Sequence, residues 1–100
     1  MKVYLIGDNE GRYKIGCTKN PKNRLKQLQT ANAADLQIIH AVEVSNDFKV
    51  ENVMHRKYAH KNISGEWFVL DEHEVSKFAD DCKTIDRNIS VLIASGNILI

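Results

Sequence analysis

Val3-Tyr4-Leu5-Ile6-Gly7-Asp8-Asn9-Glu10-Gly11-Arg12-Tyr13-Lys14-Ile15-Gly16-Cys17 is the stretch on which the fold turns. Two runs rich in β-branched and aromatic residues flank Asp8-Asn9-Glu10-Gly11, a polar segment that ends in Gly. This pattern suits a hairpin closed by a type I turn with a G1 bulge. The register then sets Asp8 against Arg12, Ile6 against Lys14 and Tyr4 against Gly16, which makes Tyr4 and Lys14 diagonal neighbours on one face. Val3, Leu5, Tyr13, Ile15 and Cys17 occupy the other face, the better candidate for the core. Tyr4 and Lys14 are thereby left to meet a ligand beside Gly16, where the backbone can be approached closely. A slip of one residue would exchange the two faces.

Downstream, Asn20-Pro21 has the form of an N-cap followed by proline at the first helical position. The helix it starts carries Leu25, Leu28 and either Thr30 or Ala31 on its inner stripe, with Arg24 at the edge of that stripe. Leu36 to Val44 alternates as a third strand, with Leu36, Ile38, His40, Val42 and Val44 on one face. Ser45-Asn46-Asp47 starts a second helix. Its core stripe is Val50, Val53, Met54 and Tyr58, with or without Phe48, and Glu51 and His55 stand one turn apart on an adjoining face. Ser64-Gly65 ends that helix, and Glu66 to Leu70 reads as a short strand or extended piece. Trp67 and Phe68 in it are expected to anchor the last helix to the sheet, and Glu66 either holds a nearby cation or faces water. Asp71 caps a final helix through about Ile85, with Val75, Phe78, Ala79 and Cys82 inward. From Asn88 to Ile100 no side chain is charged. Two apolar runs around Ser95-Gly96-Asn97 predict a hairpin there, covering a sheet edge or pairing with a second copy. The expected layout is one α/β (α+β) domain over residues 1–85, a three-stranded antiparallel sheet flanked by helices, followed by an apolar tail over 86–100.

One hundred residues, 43% hydrophobic and 27% charged, are enough for one modest core. No stretch reaches the roughly 20 apolar residues of a membrane span, and the chain starts on a strand pattern rather than a signal peptide, so no membrane role and a cytoplasmic location are expected. Cys17 and Cys82 lie far apart without a CxxC partner, so a reduced, packed state is expected for both. The net charge of +1 hides an asymmetry: residues 11–34 hold Arg12, Lys14, Lys19, Lys22, Arg24 and Lys26 and no acid. Such a cluster is the electrostatic footprint of a polyanion partner.

Taken together, Val3-Tyr4-Leu5-Ile6, Tyr13-Lys14-Ile15-Gly16, Arg24-Leu25, Glu51-x-x-x-His55 and Gly65-Glu66-Trp67-Phe68 resemble the GIY-YIG nuclease superfamily over about residues 1–80. The nearest pattern is its phage-type branch, in which the second motif reads KIG. The resemblance implies a metal-dependent endonuclease acting on DNA phosphodiesters. It places Tyr4 at the nucleophilic water or a phosphate, Arg24 on the scissile phosphate and Glu51 as the single metal-binding carboxylate. Lys14 stands where better-known members carry a second tyrosine, their proposed general base, so it falls to a base or a phosphate clamp. Asn62 is nearest to the late asparagine of those members and would share the Glu51 face if the second helix ran that far. Arg12, Lys19, Lys22 and Lys26 complete the expected nucleic-acid contacts, with DNA the expected partner and RNA not distinguished from it.

The chemistry asks for the same residue types. A guanidinium offers planar bidentate donors to phosphate oxygens, and a carboxylate suits Mg²⁺ or Mn²⁺, which keep much of their hydration. Arg24 and a cation beside Tyr4 or Lys14 would lower either group's pKa. His55 is expected to orient Glu51, to touch phosphate or to be satisfied within its helix, while His60 and His73 are too dispersed for a zinc site. His40 is expected to be a strand residue without a role. Two other readings use the same residues: a nucleic-acid-binding module that does not cleave, and a protein-interaction domain dimerising through its tail.

Overall fold

The hairpin forms in the expected register. In the computed structural model, which describes residues 1–96, β1 (Lys2–Gly7) and β2 (Arg12–Thr18) pair with Tyr4 opposite Gly16 and Ile6 opposite Lys14. The turn differs from a type I turn, because Asn9 takes φ 67° and Gly11 φ 83°. The Asp8 carboxylate makes that geometry possible by accepting the amides of Glu10 and Arg12 at 2.8 and 3.1 Å. The same carboxylate pairs with the Arg12 guanidinium at 2.6 Å, and Glu10 takes a second Arg12 nitrogen at 2.6 Å. Arg12 is thus held by the two acids just ahead of the basic stretch.

The faces separate as the alternation predicts. Val3, Leu5 and Ile15 enter the main core, while Tyr4 and Ile6 face α1 (Pro21–Thr30), whose Leu25 and Leu28 cover them. Thr30 and Ala31 stay exposed, so two leucines alone form the inner stripe. Asn20 caps α1 by accepting the Asn23 amide at 3.1 Å. Strand β3 (Gln37–Glu43) pairs with the free edge of β1, but Leu5 faces His40 and Ile6 faces Ile38, leaving Ile39 as an extra residue. This bulge splits the expected single face: Leu36 and Ile38 pack toward α1, whereas Ile39 and Val42 join the main core. His40 stacks on Phe78 at 5.9 Å and bonds the Val75 carbonyl at 2.9 Å, so it ties the sheet to the last helix.

The sheet has five strands rather than three. Past α2 (Asp47–Lys57) and one 3₁₀ turn, β4 (Asn62–Ser64) and β5 (Trp67–Val69) form a small hairpin around Gly65, φ 55°. The order is β3-β1-β2-β5-β4, antiparallel throughout. Strands of three residues carry too little alternation to be told from a loop. Asn62 belongs to this hairpin, because α2 stops at Lys57, and it lines a small hollow with His55 of α2. Its amide group donates to the carbonyls of Gly65 and Trp67 at 2.8 and 3.0 Å and holds the turn. Within α2, Val50, Met54 and Tyr58 are buried, whereas Phe48 is 64% exposed and lies outside the core.

Helix α3 (Glu72–Ala94) starts with the capping box of Asp71 and Glu74 and buries Phe78 and Cys82 as expected. It runs well past Ile85, which corrects the expected tail hairpin. Ile85, Ile89 and Leu92 keep helical spacing, Ile89 enters the core, and Ser95-Gly96 acts as a helix stop with Gly96 at φ 87°. The second arm of that hairpin, with the dimer or edge-covering role given to it, falls on residues outside those described. No helix among the described residues is long and apolar enough to cross a membrane.

Asp86 clasps α3 to the start of α2. Its carboxylate accepts the amides of Ser45 and Asn46 and the Asn46 side chain, 40 and 41 residues away in sequence. Burial raises the Asp86 pKa, and these three donors outweigh burial and hold it below the ordinary carboxylate value. Asp8 behaves likewise: its partial burial is outweighed by the Glu10 amide and the Arg12 guanidinium. A carboxylate depressed in the folded state stabilises above the unfolded pKa of about 4 and loses that contribution as pH falls through its folded value. Thermal stability should therefore hold between pH 5 and 7, within about 1 kcal/mol, and fall steeply below about pH 4, with Asp86→Asn flattening part of the fall. A pH series of melting temperatures for the two proteins checks this.

Candidate active site

β5 runs beside β2 only from Arg12 to Lys14, and one further bond from the Ile15 amide to the Glu66 carbonyl closes the ladder. From Gly16 onward that edge of β2 has no neighbouring strand among the described residues. Side chains from both faces of the sheet converge around this opening.

From the α1 face comes Tyr4. Its ring lies across Gly16, and a Cβ at position 16 would fall on the phenol oxygen, so Gly16 makes room for this ring and not for an incoming ligand. Tyr4 is 1% exposed, so most of its ring is core packing beneath α1. Arg24, on the edge of the α1 stripe as expected, donates from Nε to the Tyr4 oxygen at 3.4 Å and from Nη1 to Gln27 at 3.3 Å. Burial raises the Tyr4 pKa, and the Arg24 bond and charge offset that only in part. Arg24 by itself therefore does not bring the phenol below its ordinary value, and the phenol serves as an acceptor for the guanidinium. Gly16→Ala should displace the ring and destabilise the domain by about 1–3 kcal/mol, readable by urea denaturation.

Lys14 is buried and engaged. Its Nζ pairs with Glu66 at 2.8 Å and lies 6.0 Å from the centroid of the Trp67 ring. Of the two roles open to Glu66 in the sequence, cation holding is the observed one. Trp67 packs on the α1 face beside Lys14, away from α3, whereas Phe68 does reach the main core with Phe78, so only one of the two aromatics anchors the last helix.

From the other face comes α2. Glu51, His55 and Glu66 each bring one ligand atom to within 4.8 Å of the others, all three partly exposed. His55 Nε2 bonds the Ile15 carbonyl at 2.9 Å, which requires a proton on Nε2 and leaves the Nδ1 lone pair for a ligand. The ring also packs against Phe68 at 5.2 Å. Two carboxylates and one imidazole match the donor set of a divalent ion that keeps several waters. Burial and a bond to the Glu51 carboxylate push the neighbouring Cys17 thiol up to about 12, so the thiol stays protonated there. His60 and His73 stand outside this group, as their spacing implied.

Tyr4, Lys14, Arg24, Glu51 and His55 thus gather around one opening, with Glu66 as the member the sequence left undecided. Its place depends on the β2–β5 pairing, which three-residue strands conceal. Of the outlying residues, Lys19, Lys22 and Lys26 are exposed and form no ion pair among the described residues, Arg12 is paired with Asp8 and Glu10, and Asn62 holds the β4–β5 turn.

Residues 1–83 match the family model of the T5orf172 domain. Searches of curated proteins and of solved structures give no match. The matched span takes in β1 to β5, α1, α2 and the first half of α3, and with them every residue of the opening. The chain belongs to the T5orf172 domain family.

Proposed function

We propose that this domain is a divalent-metal-dependent endonuclease of GIY-YIG type that hydrolyses DNA phosphodiester bonds. The observation that carries the reading is the approach of Glu51, His55 and Glu66 within 4.8 Å beside the Tyr4–Arg24 pair. A nuclease needs those two charges side by side: an acidic pocket for a cation, and a fixed guanidinium for the phosphate that bridges to it.

Glu51, His55 Nδ1 and Glu66 would hold Mg²⁺ or Mn²⁺. When bound, the ion supplies Lewis-acid polarisation of the phosphate and a lowered pKa for coordinated water. Arg24 binds the phosphate through its Nη groups, while Tyr4 fixes the guanidinium through Nε as a positioning residue. Lys14 orients Glu66 and adds positive charge under the phosphate. A protonated phenol and an ion-paired ammonium are poor bases, so neither Tyr4 nor Lys14 takes the proton of the attacking water in this reading. Lys19, Lys22 and Lys26 draw in the DNA backbone, which makes affinity fall with salt.

Supercoiled plasmid is the direct test. Nicking should appear with Mn²⁺ and with Mg²⁺, be faster with Mn²⁺ because imidazole suits transition ions, and vanish in EDTA. Salt-sensitive binding with no nicking under either ion would overturn the enzyme and leave a DNA-binding module.

A further inference from the structure

Next to the opening, on the α1 face, lies a hollow of about 410 Å³ that the cleavage chemistry does not use. Its walls come from three segments: the Asp8–Arg12 ion pair of the β1–β2 hairpin, Asn32 to Ala34 of the connection from α1 to β3, and Ile63, Ser64 and Trp67 of the β4–β5 hairpin. The size falls within the range of small-molecule sites. Ile63 is 49% exposed and Trp67 is partly exposed, so apolar surface remains uncovered beside an aromatic ring.

Charge is distributed around that ring in a telling way. Lys14 Nζ sits 6.0 Å from the indole centroid, between the hollow and Glu66. Arg12 binds Asp8 through Nε and Glu10 through Nη2, which leaves Nη1 uncommitted at the rim. Both cations are already paired with carboxylates, so the feature left for a ligand is a partly exposed indole beside apolar walls, which suits the stacking of one unpaired base on the π-face. A plain anion would leave the apolar walls unused and would meet the Asp8 carboxylate.

We propose that the hollow binds an unpaired nucleobase of single-stranded DNA by stacking on Trp67. The proposal rests on the nuclease reading for the identity of the polymer, and it narrows the substrate to DNA with unpaired nucleotides at the cleavage point.

Trp67 is the only tryptophan of the chain, so its emission reports the hollow directly. The full chain is titrated in EDTA with a short oligothymidylate and with an abasic oligomer of the same length. Saturable quenching is expected from the first, with at least about 5-fold weaker binding of the second. Trp67→Ala should weaken binding of fluorescently labelled oligothymidylate by about 5- to 140-fold in anisotropy, the range typical of one stacked base. Ala34→Leu, which fills the hollow and keeps the indole, should reproduce that loss. Equal affinity for the two oligomers, binding of neither, or full affinity in Ala34→Leu overturns the proposal. Because no divalent ion is present, base-dependent quenching without plasmid nicking would sink cleavage alone, and nicking without base-dependent quenching would sink the hollow alone.

Discussion

Glu51→Gln should lower plasmid nicking by at least about 10³-fold, equivalent to roughly 4 kcal/mol of lost transition-state stabilisation. The substitution keeps the shape of the side chain and removes one of two negative charges that lie within 4.8 Å of one another. Losing that charge weakens the cation site directly. It also relieves repulsion with Glu66, so the metal-free variant should melt at the same temperature as the parent or slightly above it. Mn²⁺ then separates the two proteins: a ligand that binds only the folded state raises the melting temperature with concentration, and the rise should be seen in the parent and be absent in the variant. A variant that nicks at the parental rate would remove Glu51 from the chemistry.

Arg24→Ala should cost about 10²- to 10³-fold in kcat, the usual loss when one preorganised donor to a developing charge is deleted. Arg24 is a half-buried side chain on an otherwise exposed helix face, held by the Tyr4 oxygen and Gln27. Arg24→Lys restores charge without the planar fork and should recover only a small part of the rate. Tyr4→Phe tests the hold itself: the guanidinium remains but loses its acceptor, so kcat should fall about 10-fold. Its pH profile should keep the parental shape, because a phenol that stays protonated contributes no ionisation to it. A Tyr4→Phe profile that loses a basic limb would assign the phenol an acid–base role instead.

The hairpin, its register and the division of its side chains between two faces were legible from alternation alone, because a one-residue slip would have turned Lys14 into the main core and Val3, Leu5 and Ile15 toward α1. Helix starts at Asn20 and Asp71 were legible from capping chemistry, and Ser45-Asn46-Asp47 placed the second helix although Asn46 makes no side-chain capping bond. Three features were not. The bulge at Ile39 leaves Leu36 to Val44 looking like one uninterrupted strand, since Ile38 and Ile39 are equally apolar. The β4–β5 hairpin is too short to show a period, and with it went the position of Glu66. The apolar residues after Asn88 suit a strand as well as a helix, and only packing of Ile89 decides between them. Burial of Tyr4 was hidden for a different reason: Gly16 announces close approach without saying by what.

Asp86 sets how the scaffold breathes. The chain just ahead of a helix ordinarily frays on its own, yet the amides of Ser45 and Asn46, ahead of α2, are tied to a carboxylate in the middle of α3. Opening the start of α2 therefore breaks its bonds to α3, and the amides of that start should exchange more slowly than a free helix end. Glu51 and His55 ride on α2, whereas Glu66 sits at the turn of the short β4–β5 hairpin, so the acidic group rests on two separate supports.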